Sequence, residues 1–222
     1  RKGCQKLTRG RKNTNSTMNK IGVHALTFIG DIENTSVENC LSKAAKIGYD
    51  VMELPLLNPD ALDTDFVSKA YEKFNLEPTV SLGLSYKTDI ASEDQDRVKA
   101  GRELLFKALD KTIDVGSSNI CGVIHSELQK NDAPKTYVGY ANSLSVIRDL
   151  AEKANKNNVT LSLEVVNRYE TNIMNTAQEA LNYINDLGVS DVKVHLDTYH
   201  MNIEENNYSE PIKKIGNDKL GM

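Results

Sequence analysis

From Ile21 onward the chain repeats one pattern: a short apolar run, a polar loop, then a longer stretch with apolar residues every three or four positions. The apolar runs predict strands at Ile21–Leu26, Asp50–Leu54, Pro78–Leu82, Asn119–Ile124, Val159–Val166 and Asp191–Leu196. The periodic stretches predict helices over about Thr35–Ile47, Thr64–Phe74, Ser92–Val115, Thr136–Asn155 and Thr176–Leu187, with a short one near Ser209–Ile215. Val37, Leu41, Ala44 and Ala45 share one face of the first, and Phe66, Val67, Ala70, Tyr71 and Phe74 one face of the second. Thr35/Glu38, Ser92/Gln95 and Thr176/Glu179 have the spacing of a capping box, in which side chain and backbone at a helix start satisfy each other. Gly48, Gly116 and Gly188 stand at the stops, where a left-handed residue ends a helix. Lys219–Met222 reads as the first step of a seventh strand, and the Glu204-Glu205 and Asn206-Asn207 pairs read as a solvated loop.

Strict alternation of strand and helix implies a parallel sheet covered by helices. Two architectures satisfy it: an open, doubly wound sheet and a closed (β/α)₈ barrel. The open sheet usually carries a glycine-rich phosphate turn after its first strand. Here that turn reads HALTFIGD, without the motif, and polar residues gather after several different strands. That distribution favours a barrel, whose site is assembled from many strand ends. A barrel has eight units, however, and six are visible, so pattern alone leaves both architectures open.

Composition narrows the function classes. The chain is 39% hydrophobic and 26% charged, with no Trp and four Phe, which is ordinary for a globular domain and poor for a broad aromatic binding face. No apolar run has the length of a membrane span. Residues 1–17 hold Arg1, Lys2, Lys6, Arg9, Arg11 and Lys12, no acid and almost no apolar content, and are expected to form a disordered basic leader, with the patterned domain at 18–222. Without those six cations, 21 basic residues of the 27 face 31 acidic ones, a net charge of −10 on the body. Such a body argues against nucleic-acid binding. Cys4, Cys40 and Cys121 are few, odd in number and widely spaced; a reducing cytoplasm fits them, with Cys40 and Cys121 as small core residues.

Two stretches carry the candidate chemistry: LSLEVVNRYE (161–170) and VKVHLDTYH (192–200). Each starts as a strand and ends in charged or hydrogen-bonding residues. Glu164 lies among Leu161, Leu163, Val165 and Val166, and Asp197 follows Val192, Val194 and Leu196. An acid among apolar neighbours is costly unless it is paired or binds a cation. Parallel neighbours run about 4.8 Å apart, so two such acids on consecutive strands can grip one ion such as Mg²⁺ or Mn²⁺. The bland alternatives are a strand acid paired with a Lys or Arg for Glu164 and a loop cap for Asp197; one strand-end acid alone favours the bland reading, and two on adjacent strands divide the readings about evenly. Glu170 and His200 can hydrogen-bond sugar hydroxyls. His195 shares a side with Asp197 and reads as a histidine lining the barrel. His24 and His125, near the ends of strands one and four, read as pocket wall or substrate contacts. Glu53 either lines the pocket or forms a buried pair.

With these stretches in view, GVHAL, GYDVMELPLL, SLGLSYKTDI, LEVVNRYETN and VHLDTYHMNIEE together resemble the ketose 3-epimerases of the D-tagatose/D-psicose (allulose) type, within the xylose-isomerase-like barrels. The likeness runs from about Met18 to Leu220. It implies a (β/α)₈ TIM barrel, of which about six β/α units are present and strands seven and eight are missing. It implies one divalent metal, Mn²⁺ first, with Co²⁺ or Mg²⁺ as alternatives, held by Glu, Asp, His and Glu on four strands. Two of those ligands, both glutamates, exchange the C3 proton of a free ketohexose on opposite faces through a cis-enediolate. By motif, Glu164 is the first catalytic glutamate and a metal ligand, Asp197 is the second ligand, and Glu170 and His200 hold the O1/O2 end of the substrate. The family's histidine ligand, a substrate-binding arginine and the second glutamate have no counterpart in these 222 residues, so poor stability and weak or absent activity are expected of them alone. The resemblance also implies homodimers or homotetramers, with no nucleic-acid or membrane partner. The rival readings are a related sugar isomerase such as a hydroxypyruvate isomerase, a metal-dependent apurinic endonuclease, which the acidic body disfavours, and a non-catalytic remnant.

Overall fold

The computed structural model describes residues 19–29, 34–56 and 58–222; the basic leader, residues 30–33 and the side chains of Asn34 and Thr35, with the proposed Thr35/Glu38 capping box, lie outside them. Six strands form one sheet: β1 (Gly22–His24), β2 (Val51–Pro55), β3 (Glu77–Ser81), β4 (Asn119–Gly122), β5 (Thr160–Val165) and β6 (Val192–Leu196). Their order in the sheet is the order in the chain, and every neighbouring pair is parallel. A doubly wound sheet reverses its strand order at a switch point. No reversal occurs here, and the progression is that of a barrel wall. The C-terminus continues it: Leu220 bridges Val194 in parallel, Gly221 N donates to Val194 O (2.8 Å) and Leu196 N to Met222 O (3.0 Å), as expected for the first step of a seventh strand.

The strands separate their two faces sharply. Met52, Leu54, Val80, Ile120, Leu161, Leu163, Val165, Val192 and Val194 are buried on the outer face, under the helices. The intervening residues, Glu53, Thr79, Asn119, Ser162, Glu164 and His195, share the inner face by register and alternation. A hydrogen-bonded chain crosses that face. Asn119 Nδ2 donates to Thr79 Oγ1 (3.0 Å), and Ser162 Oγ donates to Asn119 Oδ1 (2.6 Å). The core therefore lies between sheet and helices, and the inner face is free to carry polar groups.

Helices α1 (Asn34–Ile47), α2 (Thr64–Phe74), α3 (Gln95–Asp114), α4 (Tyr137–Lys156) and α5 (Ala177–Leu187) follow β1 to β5. The Thr176–Glu179 capping box and the left-handed Gly188 (φ 68°) bound α5 as the spacing predicts. α3 starts later than expected. Ser92 Oγ accepts from Asp94 N (3.1 Å) in a turn, and Asp94, not Ser92, caps the helix at Asp96 N. After β6 a helix of seven residues, α6 (Thr198–Glu204), replaces the start of the expected solvated loop; Asp197 caps it. α7 (Ser209–Lys219) runs past the expected Ile215 but is interrupted at Gly216, whose φ of 70° and ψ of 168° are not helical. Among the described residues no helix is long and apolar enough to cross a membrane.

α3 seats against the turn after β3 through a single glycine. A Cβ on Gly101 would run into the carbonyl oxygen of Thr88 and the side chain of Ile90. Alanine at this helix-interior position would normally gain about 1 kcal/mol. The Gly101→Ala variant is instead expected to lose about 1–3 kcal/mol net, as overpacked sites do. Thr176→Ala, which removes one arm of the α5 capping box, is expected to lose about 1 kcal/mol. Urea unfolding measures both; a Gly101→Ala protein as stable as the parent would show that the Thr88 turn yields freely.

Candidate metal and sugar site

Glu164 ends β5 on the inner face, with His195 of β6 as its register partner. Its carboxylate is 17% exposed. One oxygen lies 3.9 Å from His195 Nδ1 and the other 3.6 Å from His200 Nε2. Asp197, one residue beyond β6, is both a cap and a site acid. Oδ1 accepts from Tyr199 N (2.7 Å), and Oδ2 faces His200 Nε2 at 4.0 Å. Glu170, in the loop after β5, places Oε2 3.8 Å from the same nitrogen. The four residues singled out in the sequence, Glu164, Glu170, Asp197 and His200, thus converge.

Among the described residues no Lys or Arg pairs with Glu164, Glu170, Asp197 or Glu53; only histidines do. The Glu164 carboxyl is accordingly pushed up to about 7, first by burial and then by the charges of Asp197, Glu53 and Glu170. The expectation of a Lys or Arg partner for Glu164 fails. Hard carboxylate oxygens with no basic partner are the donor set of a divalent cation such as Mg²⁺ or Mn²⁺. One ligand atom each from Glu164, Asp197 and His200 lies within 4.8 Å of the others. Hydrogen bonding separates His200 from the two acids. Its Nδ1 accepts from the backbone N–H of Asn167 (3.3 Å), so the ring proton sits on Nε2. The nitrogen that faces the acids is a donor, suited to a ligand oxygen rather than to a metal.

α6 fixes this end of the site. Arg168 binds Glu204 through its backbone N (2.7 Å) and through its guanidinium, with Nε at 2.9 and 3.1 Å and one terminal nitrogen at 2.5 Å. The Glu204 side chain is only 4% exposed, and the hydrogen bonds from Arg168 hold its carboxyl below the usual range. Glu205 accepts from Ala177 N (2.8 Å) at the start of α5. Both acids of the supposed solvated pair are therefore structural partners.

The remaining candidates divide. His24 accepts from Leu26 N at Nδ1 (3.1 Å) and turns Nε2 toward Glu53 (3.5 Å) and Ser81 (3.5 Å). Glu53 is thus paired while it lines the inner face. His195 is on that face as expected, with no hydrogen bond to Nδ1, and burial lowers its pKa. His125 departs from its expected place in the pocket wall. It is wholly buried, neither ring nitrogen has a partner, its ring meets Tyr183 edge-on, and burial pushes its pKa down to about 3. Cys40 and Cys121 are buried free thiols, and burial pushes Cys121 well up, as fits inert residues. Sequence reasoning passed over Asn167 and Glu204. Asn167 stands inside the LEVVNRYE stretch without a distinguishing signal, and nothing in the spacing links Arg168 to an acid 36 positions away.

Residues 41–222 match the family model of the xylose isomerase-like TIM barrel. The chain is 42% identical over 193 residues to a ketose 3-epimerase of Arthrobacter globiformis, covering 87% of this chain and 67% of that protein. It is 41% identical over 200 residues to an L-ribulose 3-epimerase of Methylomonas sp., covering 90% and 70%. A crystal structure of D-allulose 3-epimerase from Methylomonas sp. in complex with D-allulose superposes with a TM-score of 0.88 at 40% identity, over 91% of this chain and 70% of that one. The parallel wall, the polar inner face and these likenesses agree: the chain belongs to the ketose 3-epimerases of the xylose isomerase-like TIM barrel family.

Proposed function

We propose that this site serves metal-dependent epimerisation at C3 of free ketohexoses, in the D-tagatose/D-sorbose and D-fructose/D-psicose sense. The observation that carries the reading is Glu164: a half-buried acid near a strand end, beside Asp197 and Glu170, with only histidines as ion-pair partners among the described residues. Glu164 and Asp197 would hold the cation, Mn²⁺ first. When bound, the ion supplies Lewis acidity toward the ketose carbonyl and so makes the neighbouring C–H more acidic. Glu164 takes and returns the C3 proton on one face. His200 donates from Nε2 and Glu170 accepts, which fits the O1/O2 end of the sugar. Among the described residues no Lys or Arg lies on these acids, which favours unphosphorylated substrates. The proton on the opposite face falls, by the resemblance, to a second glutamate that has no counterpart by motif among these 222 residues. Residues 1–222 alone are therefore expected to bind metal and yield little or no epimer.

Two measurements test this reading. A thermal melt with and without Mn²⁺ is expected to shift upward, by about 2.7 kcal/mol of stability at a hundredfold excess over Kd. Glu164→Gln and Asp197→Asn should abolish the shift. A melt indifferent to Mn²⁺ would remove the metal site. The second is the pH dependence of the metal-free protein. The folded state keeps the Glu164 proton up to about pH 7, whereas the unfolded chain releases it near 4.5. The unfolded state then binds fewer protons in that window, so stability falls as pH rises from about 4.5 to 7 and levels off above. The difference between the parent and Glu164→Gln is expected to be on the order of 3 kcal/mol across the window. Mn²⁺ should reverse the trend by favouring the ionised carboxylate; parallel pH profiles for the two proteins would contradict the assignment.

A further inference from the structure

Asn167 stands in the loop after β5. It is 1% exposed and lies directly behind the two groups proposed to hold the sugar. Its side-chain nitrogen approaches His200 Nδ1 at 2.8 Å and Glu170 Oε1 at 3.3 Å. Its side-chain oxygen accepts from Tyr169 N (2.9 Å), and its carbonyl accepts from Glu170 N (2.9 Å) and Thr171 N (3.3 Å). This network fixes the amide orientation. Flipped, the amide oxygen would face the Glu170 carboxylate, and its N–H groups would face the N–H of Tyr169. Both amide hydrogens are therefore directed to the two sugar-holding groups. With the backbone N–H at 3.3 Å, two donors converge on one imidazole lone pair and force the ring proton onto Nε2.

Nε2 in turn stands 3.6 Å from Glu164, 3.8 Å from Glu170 and 4.0 Å from Asp197. All three distances exceed hydrogen-bond length. The Nε2–H donor is thus presented among three acids and committed to none of them, which leaves it for a ligand oxygen. We infer that Asn167 is a positioning residue: it sets the tautomer of His200 and the orientation of Glu170 together, so that the pair meets a ketose as one donor and one acceptor. The inference rests on the proposed role of those two residues in holding the sugar.

The test is ¹⁵N NMR of the imidazoles in the metal-free chain, with His200 assigned by the signal lost in His200→Gln, alongside calorimetric titration with D-fructose in the presence of Mn²⁺. The parent should show a pyridine-type Nδ1 and a pyrrole-type Nε2 at His200. Asn167→Asp keeps the acceptor for Tyr169 N but turns a carboxylate oxygen toward Nδ1, and the pyridine-type Nδ1 signal should disappear. Where the added charge beside Glu170 prevents folding, Asn167→Asp combined with Glu170→Gln relieves the repulsion and gives the same reading. D-fructose affinity should fall at least about tenfold in Asn167→Asp. A pyrrole-type Nδ1 in the parent, an unchanged Nδ1 in the variants, or equal D-fructose affinity in parent and Asn167→Asp overturns the inference. Absence of D-fructose binding by the parent counts against the proposed function, and the tautomer still decides the role of Asn167.

Discussion

Carboxylates that repel one another are held together at the strand ends, and the rest of the structure exists to hold them there. Burial and the charges of Asp197, Glu53 and Glu170 raise the proton affinity of Glu164, and among the described residues no Lys or Arg pairs with any of the four. An arrangement of this kind is destabilising in isolation. The opposing term comes from the other side of the same strands. On the strands themselves, Glu53 is flanked by Met52 and Leu54 and Glu164 by Leu163 and Val165, which turn outward and are almost completely buried under the helices. Burying one such side chain contributes about 1.5–3 kcal/mol. A one-residue slip of any strand would exchange the two faces, placing the acids in the core. The register that protects the apolar core is therefore the same register that assembles the site.

Pairing in chain order also explains why strands β5 and β6 carry most of the identifiable chemistry. Adjacent parallel strands bring Glu164 opposite His195, and the next inward position past β6 is Asp197. Asp197 then has two tasks: one oxygen caps α6 and the other faces the site. The cap orients a carboxylate that would otherwise rotate freely. α6 also delivers His200 one turn later, where Tyr199 packs edge-on against its ring. A helix of seven residues has little stability of its own. Its position depends on contacts at both ends, with Asp197 at the start and the Arg168–Glu204 pair at the finish.

The strand and helix pattern was legible because it depends on local periodicity, and so were Glu164 and Asp197, because an acid beside a run of Val and Leu needs a reason to be there. The choice between open sheet and barrel was not legible from periodicity. Strand order is a property of pairing, and no single strand records its neighbours. α6 escaped because TYHMNIE is too short to show helical repetition, and its Glu204 looked like any surface acid. His125 shows the opposite failure. A histidine just past a strand end suggests a pocket, but here the chain turns it outward against Tyr183, where no polar partner exists. Gly122, with φ of 107° and no room for a Cβ beside the Leu82 carbonyl, is where β4 departs from the alternation that would have kept His125 on the inner face.

The Arg168–Glu204 pair shows how the structure divides rigidity from reactivity. Its partners are charge-assisted and multiply bonded, and one of them is nearly buried, the geometry in which an ion pair fixes a backbone. It lies one residue from Asn167 and two from Glu170, and it ties the loop after β5 to the end of α6. The acids of the site have no Lys or Arg partner among the described residues; Asp197 accepts one bond from Tyr199 N and Glu170 one from Asn167. Their nearest histidine nitrogens stand 3.5–4.0 Å away, too far to satisfy them. Groups that must exchange partners during a reaction cannot be saturated beforehand, so the ordering bonds are placed one layer back, on Asn167, Arg168 and Glu204.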